Sequence, residues 1–151
     1  MKYRRLTDQK TLELIPYIKS YLKRKSAFEV KIHVGCDSQV KSGKTTYVST
    51  VVLHVGLTGC HILYKKDVVP RKLDLWTKLW GEVERSVELT RFLIDNQIEI
   101  ESINLDLNDK PMHASNKLVS SALGFAMSTG VKVRIKPEVL PAISAADNLS
   151  K

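Results

Sequence analysis

The chain is poor in cysteine, in long apolar runs and in acidic residues, and each scarcity narrows its chemistry. Its two cysteines, Cys36 and Cys60, fit no zinc spacing and read as small buried thiols in a reducing compartment. No apolar run approaches the roughly 20 residues of a membrane-spanning helix. The basic start, residues 1–5, leads into a polar amphipathic segment instead of an apolar signal-peptide core, so the expected location is the cytoplasm. Acids number 16 against 24 lysines and arginines, a formal net charge of +8. Such a balance attracts polyanions. The basic clusters Lys23-Arg24-Lys25, Lys65-Lys66 and Arg71-Lys72 are short, so the charge is expected to spread over a folded surface.

With 43% hydrophobic and 26% charged residues over 151 positions, the chain has the makings of one α/β domain spanning residues 1–151. Leu12, Ile15, Ile18 and Leu22 form an apolar stripe at helical spacing. It predicts a helix over residues 7–25 that Thr7 caps and Pro16 weakens, within an N-terminal helical extension over residues 1–26. Alternation of Val30, Ile32 and Val34 predicts a first strand over 29–36. β-Branched runs predict strands over 45–55 and 61–69, joined through turns at Ser42-Gly43-Lys44 and Gly56-Leu57-Thr58-Gly59.

Leu75, Leu79, Val83, Val87 and Ile94 predict a long helix over 74–96. A strand over 99–107, a helix over 115–129 and a strand over 131–135 should make a right-handed parallel crossover. A short last helix is expected to start near Ser144. The order predicts a five-stranded mixed sheet, antiparallel in strands one to three and then parallel, flanked by helices.

Four acids stand out against this frame. Asp37 ends the first strand, Glu84 sits in the long helix, Asp106 ends the strand over 99–107, and Asp147 lies in the first turn of the last helix. Each has an ordinary explanation. A strand-end Asp often forms a turn. Helix acids such as Glu82, Glu84 and Glu88 often face solvent. An Asp in a first helical turn satisfies free N–H groups and the dipole. Their common order is more telling, because parallel neighbouring strands would bring Asp37 and Asp106 out at one crevice.

The motif Val34-Gly35-Cys36-Asp37-Ser38-Gln39 carries a resemblance, together with Thr45-Thr46-Tyr47-Val48 and Glu84-Arg85-Ser86-Val87-Glu88. Ile135-Lys136-Pro137-Glu138 and the ending Ala146-Asp147-Asn148-Leu149-Ser150-Lys151 continue it. The chain resembles the YkuK-type family of ribonuclease H-related nucleases, formerly a domain of unknown function, over about its whole length. The resemblance implies a ribonuclease H-like fold. It also implies that Asp37, Glu84, Asp106 and Asp147 are catalytic and bind two Mg²⁺ or Mn²⁺ ions, with Glu88 the rival of Glu84.

All-oxygen ligands suit these hard cations, and two ions can stabilise both the attacking and the leaving oxygen of a phosphodiester. Ser38, Gln39, Lys136 and Lys151 are candidate substrate contacts; Arg134 could also meet phosphate, and His113 could assist proton transfer. Related proofreading exonucleases carry a second acid two residues after the first, where this chain has Gln39. The resemblance therefore implies an endonuclease of RNA or RNA–DNA hybrid, or a junction-resolvase-like enzyme on structured DNA. A nucleic-acid-binding module with weak or lost catalysis is the competing reading. A third is a partner-binding protein whose acids are only caps and turns.

Overall fold

The computed structural model describes residues 1–56, 59–108, 116–136 and 138–150. The chain begins with strands β1 (Lys2–Arg5) and β2 (Thr11–Glu13), then helix α1 (Leu14–Arg24). Strands β3 (Val30–Lys41), β4 (Lys44–Val55) and β5 (Gly59–Val69) follow, then α2 (Leu75–Asp95) and β6 (Ser102–Asn108). Helix α3 (Asn116–Met127), strand β7 (Val133–Lys136) and helix α4 (Pro141–Ser150) close the order.

The strands form one sheet in the order β2-β1-β5-β4-β3-β6-β7. Pairing is antiparallel from β2 through β3. It is parallel for β3–β6 and β6–β7. The sheet thus has seven strands and not the expected five.

The two extra strands come from the N-terminus, where a longer helix was expected. Pro16 explains where α1 begins. It is the third residue of the helix, within the first turn, where an N–H has no intrahelical partner to lose. The residues before it are free to extend, and they pair β1 with β5 through Arg4 opposite Tyr64. Tyr3 then buries its ring at 2% exposure and joins the core.

Helices α1 and α2 cover one face. Leu14 and Ile18 of α1 and Leu89 and Leu93 of α2 pack with Ile32, Val34, Val51 and Leu63. Burying each such aliphatic side chain contributes about 1.5–3 kcal/mol. Beside them α3 presents Ala122 and Ala126 to Val83, Val87, Ile103 and Leu105. The opposite face carries α4, where Ala146 packs with Val48 and Tyr64. Helix α4 lies close because Gly35 has no side chain; a Cβ there would stand 2.9 Å from that of Ala142.

Several expectations shift. Strand β3 continues through Asp37, which pairs with Val48, to Lys41. Asp37 therefore is not a strand end toward β4. Helix α4 starts at Pro141 and not near Ser144. Proline suits a first helical position because its missing N–H is not needed there. Asp147 consequently lies in the body of the helix, where neither the cap nor the dipole explains it. Cys36 is buried as expected, but Cys60 is exposed. Among the described residues, no helix is long and apolar enough to cross a membrane.

Candidate active site

The parallel ladder between β3 and β6 has its last rung at Gly35 opposite Asn104. Asp37 and Asp106 each lie two residues beyond that rung. A strand returns to the same face every second residue, so both carboxylates point to the α4 side where the strands part. Asp147 of α4 approaches from that side and interacts with Asp37 through charge and a hydrogen bond. Glu82 of α2 reaches the gap from the other face. It accepts a hydrogen bond from the Ser38 hydroxyl at 3.1 Å.

Two of these acids are deeply buried, Asp37 at 7% exposure and Glu82 at 5%. Burial pushes the Asp37 carboxyl up from 3.8 to about 6, and the charges of Asp106 and Asp147 add to the rise. Burial also pushes Glu82 well above the usual carboxylate range, with Asp37 and Asp106 contributing repulsion. Each effect disfavours the charged form, the first by desolvation and the second by like charge.

One counter-charge enters from β7. Lys136 Nζ lies 2.6 Å from Asp106 Oδ1, close in distance but not aligned as a hydrogen bond. That contact holds the ammonium pKa above its ordinary value.

The structure brings together Asp37, Asp106 and Asp147 from the expected set, with Glu82 on the helix. Glu84 and its rival Glu88 are exposed and face away. Glu84 borders surface clefts with Arg85. Residues two apart on a helix differ by about 200° in direction, so Glu82 and Glu84 cannot share a face. The signal for Glu82 was its place on the buried stripe with Leu79, Val83 and Ser86. Ser86 and Thr90 donate their hydroxyls to the carbonyls of Glu82 and Ser86, at 2.9 and 2.8 Å. That ladder keeps the polar stripe satisfied inside the core.

The proposed substrate contacts divide differently. Ser38 is buried and donates its hydroxyl to Glu82. Gln39 is half-buried beyond Asp37 on the same strand. Lys136 is engaged with Asp106. Lys151 and His113 lie outside the described residues.

A buried polar chain fixes α4 behind the acids. Asn104 Oδ1 accepts the Ala142 N–H at 3.0 Å, and Thr50 donates to the Ala142 carbonyl at 2.7 Å. Asn104 Nδ2 donates to Ser102 Oγ at 2.9 Å, and Ser102 Oγ shares a hydrogen bond with His33 Nδ1 at 2.6 Å. Sequence reading did not single out this support, because Asn104, Thr50 and Ser102 carry no motif of their own.

The cluster's donor chemistry fits a hard divalent cation. It offers only carboxylate oxygens, two of them on deeply buried acids. Among the described residues, no three His, Cys, Asp or Glu side chains already stand in the arrangement of a metal cage. The fit therefore rests on donor type and crowded charge.

A family model described as ribonuclease H-like matches residues 13–151. Neither the search of curated proteins nor that of solved structures found a match. With nearly its whole length matched, the chain belongs to the ribonuclease H-like family.

Proposed function

We propose that the protein is a divalent-metal-dependent endonuclease that hydrolyses phosphodiester bonds in RNA or RNA–DNA hybrid. Membership of the ribonuclease H-like family supports a nuclease-like, nucleic-acid-related role. The observation that carries the finer reading is the crowding of Asp37, Glu82, Asp106 and Asp147 at the gap between β3 and β6. Mutual repulsion among buried carboxylates costs stability, and a site that keeps them is organised to receive positive charge.

Asp37, Asp106, Asp147 and Glu82 would hold Mg²⁺ or Mn²⁺, with Glu82 in the place first expected of Glu84. When bound, such ions activate water and stabilise the leaving oxygen in phosphodiester hydrolysis. The chain's own residues prepare the site. Ser38 fixes the direction of the Glu82 carboxylate. Lys136 offsets the charge of Asp106 and stands close enough to the cluster to meet a substrate phosphate. Asn104, Thr50 and Gly35 set the position of α4, and hence of Asp147.

The test is cleavage of labelled RNA–DNA hybrid, single-stranded RNA and branched DNA, with Mg²⁺ or Mn²⁺ against EDTA, for wild type and Asp37→Asn. Metal-dependent cutting of RNA or hybrid that disappears in the variant supports the proposal. Preference for branched DNA moves the chain to a junction-resolvase-like role. One observation favours the second reading, a binding module without catalysis. The Lys136 ammonium already occupies an Asp106 oxygen that a metal would need. Salt-dependent binding with no cutting of any substrate would decide for it.

A further inference from the structure

The N-terminal hairpin builds a cationic cleft that the family relationship does not account for. The family match begins at residue 13, so β1 and all but the last residue of β2 lie outside it. These strands extend the sheet past β5, and Lys2 and Arg4 lie on the face that carries α4. Here lies a cleft of about 510 Å³, lined by Lys2, Arg4, Gln9, Tyr64 and Lys66 among others, with no acid in its wall. Lys2 is partly neutralised by Glu13 at 2.9 Å. Arg4 and Lys66 are exposed and, among the described residues, make no ion pair. The Tyr64 hydroxyl donates to the Gln9 side-chain carbonyl across the cleft, which ties the hairpin turn to β5.

Register places this cleft relative to the acids. Asp37 lies opposite Val48, and Val48 lies opposite Lys66. Residues directly opposite share a face, and two strand spacings amount to about 10 Å. Arg4, opposite Tyr64, continues the same face one strand further out. Helix α4, with Ala146 over Val48 and Tyr64, stands between the acids and this cleft, so a nucleic acid that meets both must pass around α4.

We infer that the hairpin cleft is a second binding site, in which Arg4 and Lys66 hold backbone phosphates of the nucleic acid at a distance from the bond at Asp37. The inference rests on the nucleic-acid part of the reading above and not on its hydrolytic part. Without acids in its wall, the cleft attracts the same strand that the carboxylate cluster repels until cations fill it. The extension thus supplies charge that the acid cluster lacks.

The test measures binding and leaves cutting aside. In an Asp37→Asn background, fluorescence anisotropy would follow labelled single-stranded RNA and RNA–DNA hybrid across a salt series. The test pair is Arg4→Ala with Lys66→Ala. The control pair, Lys19→Ala with Lys23→Ala, removes the same charge from exposed positions on α1, across the sheet.

Each lost phosphate contact should lower the slope of log affinity against log salt by about 1. The cleft pair should therefore lose about 2 from the slope while its thermal midpoint matches that of the control pair. Equal slopes and affinities for both pairs would overturn the inference, as would failure of the background protein to bind either probe. A protein that cuts RNA but whose binding ignores Arg4 and Lys66 removes the cleft and keeps the nuclease. One that binds through them but cuts nothing does the reverse.

Discussion

Asn104 Oδ1 accepts the backbone N–H of Ala142 at 3.0 Å, so a side chain from β6 caps the first turn of α4. The sheet thereby fixes the start of the helix that carries Asp147. Asn104 is wholly buried, and losing a buried hydrogen-bond partner costs about 1–3 kcal/mol. Asn104→Leu should lower stability by that amount in urea unfolding. It should also reduce metal-dependent cleavage at temperatures where the variant remains folded, because Asp147 loses its anchor.

Gly35→Ala acts on the same contact from β3. Its Cβ would meet the Ala142 Cβ at 2.9 Å and the Asn104 carbonyl oxygen at 3.2 Å. Neither neighbour is the end of a flexible side chain, so α4 must shift. Overpacking of this kind costs about 1–3 kcal/mol. The expected outcome is a lower urea midpoint and weaker Mn²⁺ binding. Unchanged values for both would show that α4 has room the structure does not indicate.

Glu82 and Glu84 separate the two helix assignments. Glu82→Gln should reduce metal-dependent cleavage by about 100-fold or more, since a metal contributes several kcal/mol to the transition state. Glu84→Gln changes an exposed side chain and should leave the rate within about twofold. Steady-state cleavage of one substrate by both variants is the check. The reverse ranking would return the role to Glu84.

The legibility of the chain follows the same lines. Strand β3 was readable because Val30, Ile32 and Val34 alternate with polar residues, and β4 and β5 because their runs are rich in β-branched residues. Helix α2 was readable from Leu79, Val83 and Val87. The hairpin was not, since Lys2-Tyr3-Arg4-Arg5 is short and charged, its partner β2 is only three residues long, and its other partner β5 is distant in sequence. Asp37 and Asp106 could be found because each follows an apolar strand segment, although both strands run on past them. Glu82 could be weighed but not chosen, because selecting among acids on a helix requires knowing which side faces the gap. Asp147 was identified by its motif, while Pro141 as a helix start moved it from the first turn into the helix body.

Apo stability should fall as pH rises. The Asp37 carboxyl titrates near 6 in the folded chain against 3.8 ordinarily. Below about pH 4 it is protonated in both folded and unfolded chains and imposes no penalty. Between these values the folded chain binds the extra proton, so stability declines with pH. Above about pH 6 the loss is complete, about 3 kcal/mol at 1.36 kcal/mol per unit. Glu82 is raised as well and acts in the same direction. Urea unfolding in EDTA from pH 4 to 7.5 should show the decline, and Asp37→Asn should flatten it. Mn²⁺ should restore stability on the alkaline side.

Lys136 competes with any cation for Asp106 Oδ1, which it meets at 2.6 Å. Its side chain is half exposed, so the contact is worth no more than about 1 kcal/mol. Lys136→Met should therefore tighten Mn²⁺ binding by up to about fivefold in calorimetric titration. Weaker binding would mean that the ammonium organises the site instead of competing for it.

The central claim is that the gap between β3 and β6 is a metal centre. Anomalous diffraction from Mn²⁺-soaked crystals tests it most directly. The account predicts manganese density against Asp37 and Asp106, with Glu82 and Asp147 turned toward it and Lys136 displaced. Ordered crystals with no density at these acids at saturating Mn²⁺, or with density only elsewhere, would contradict it.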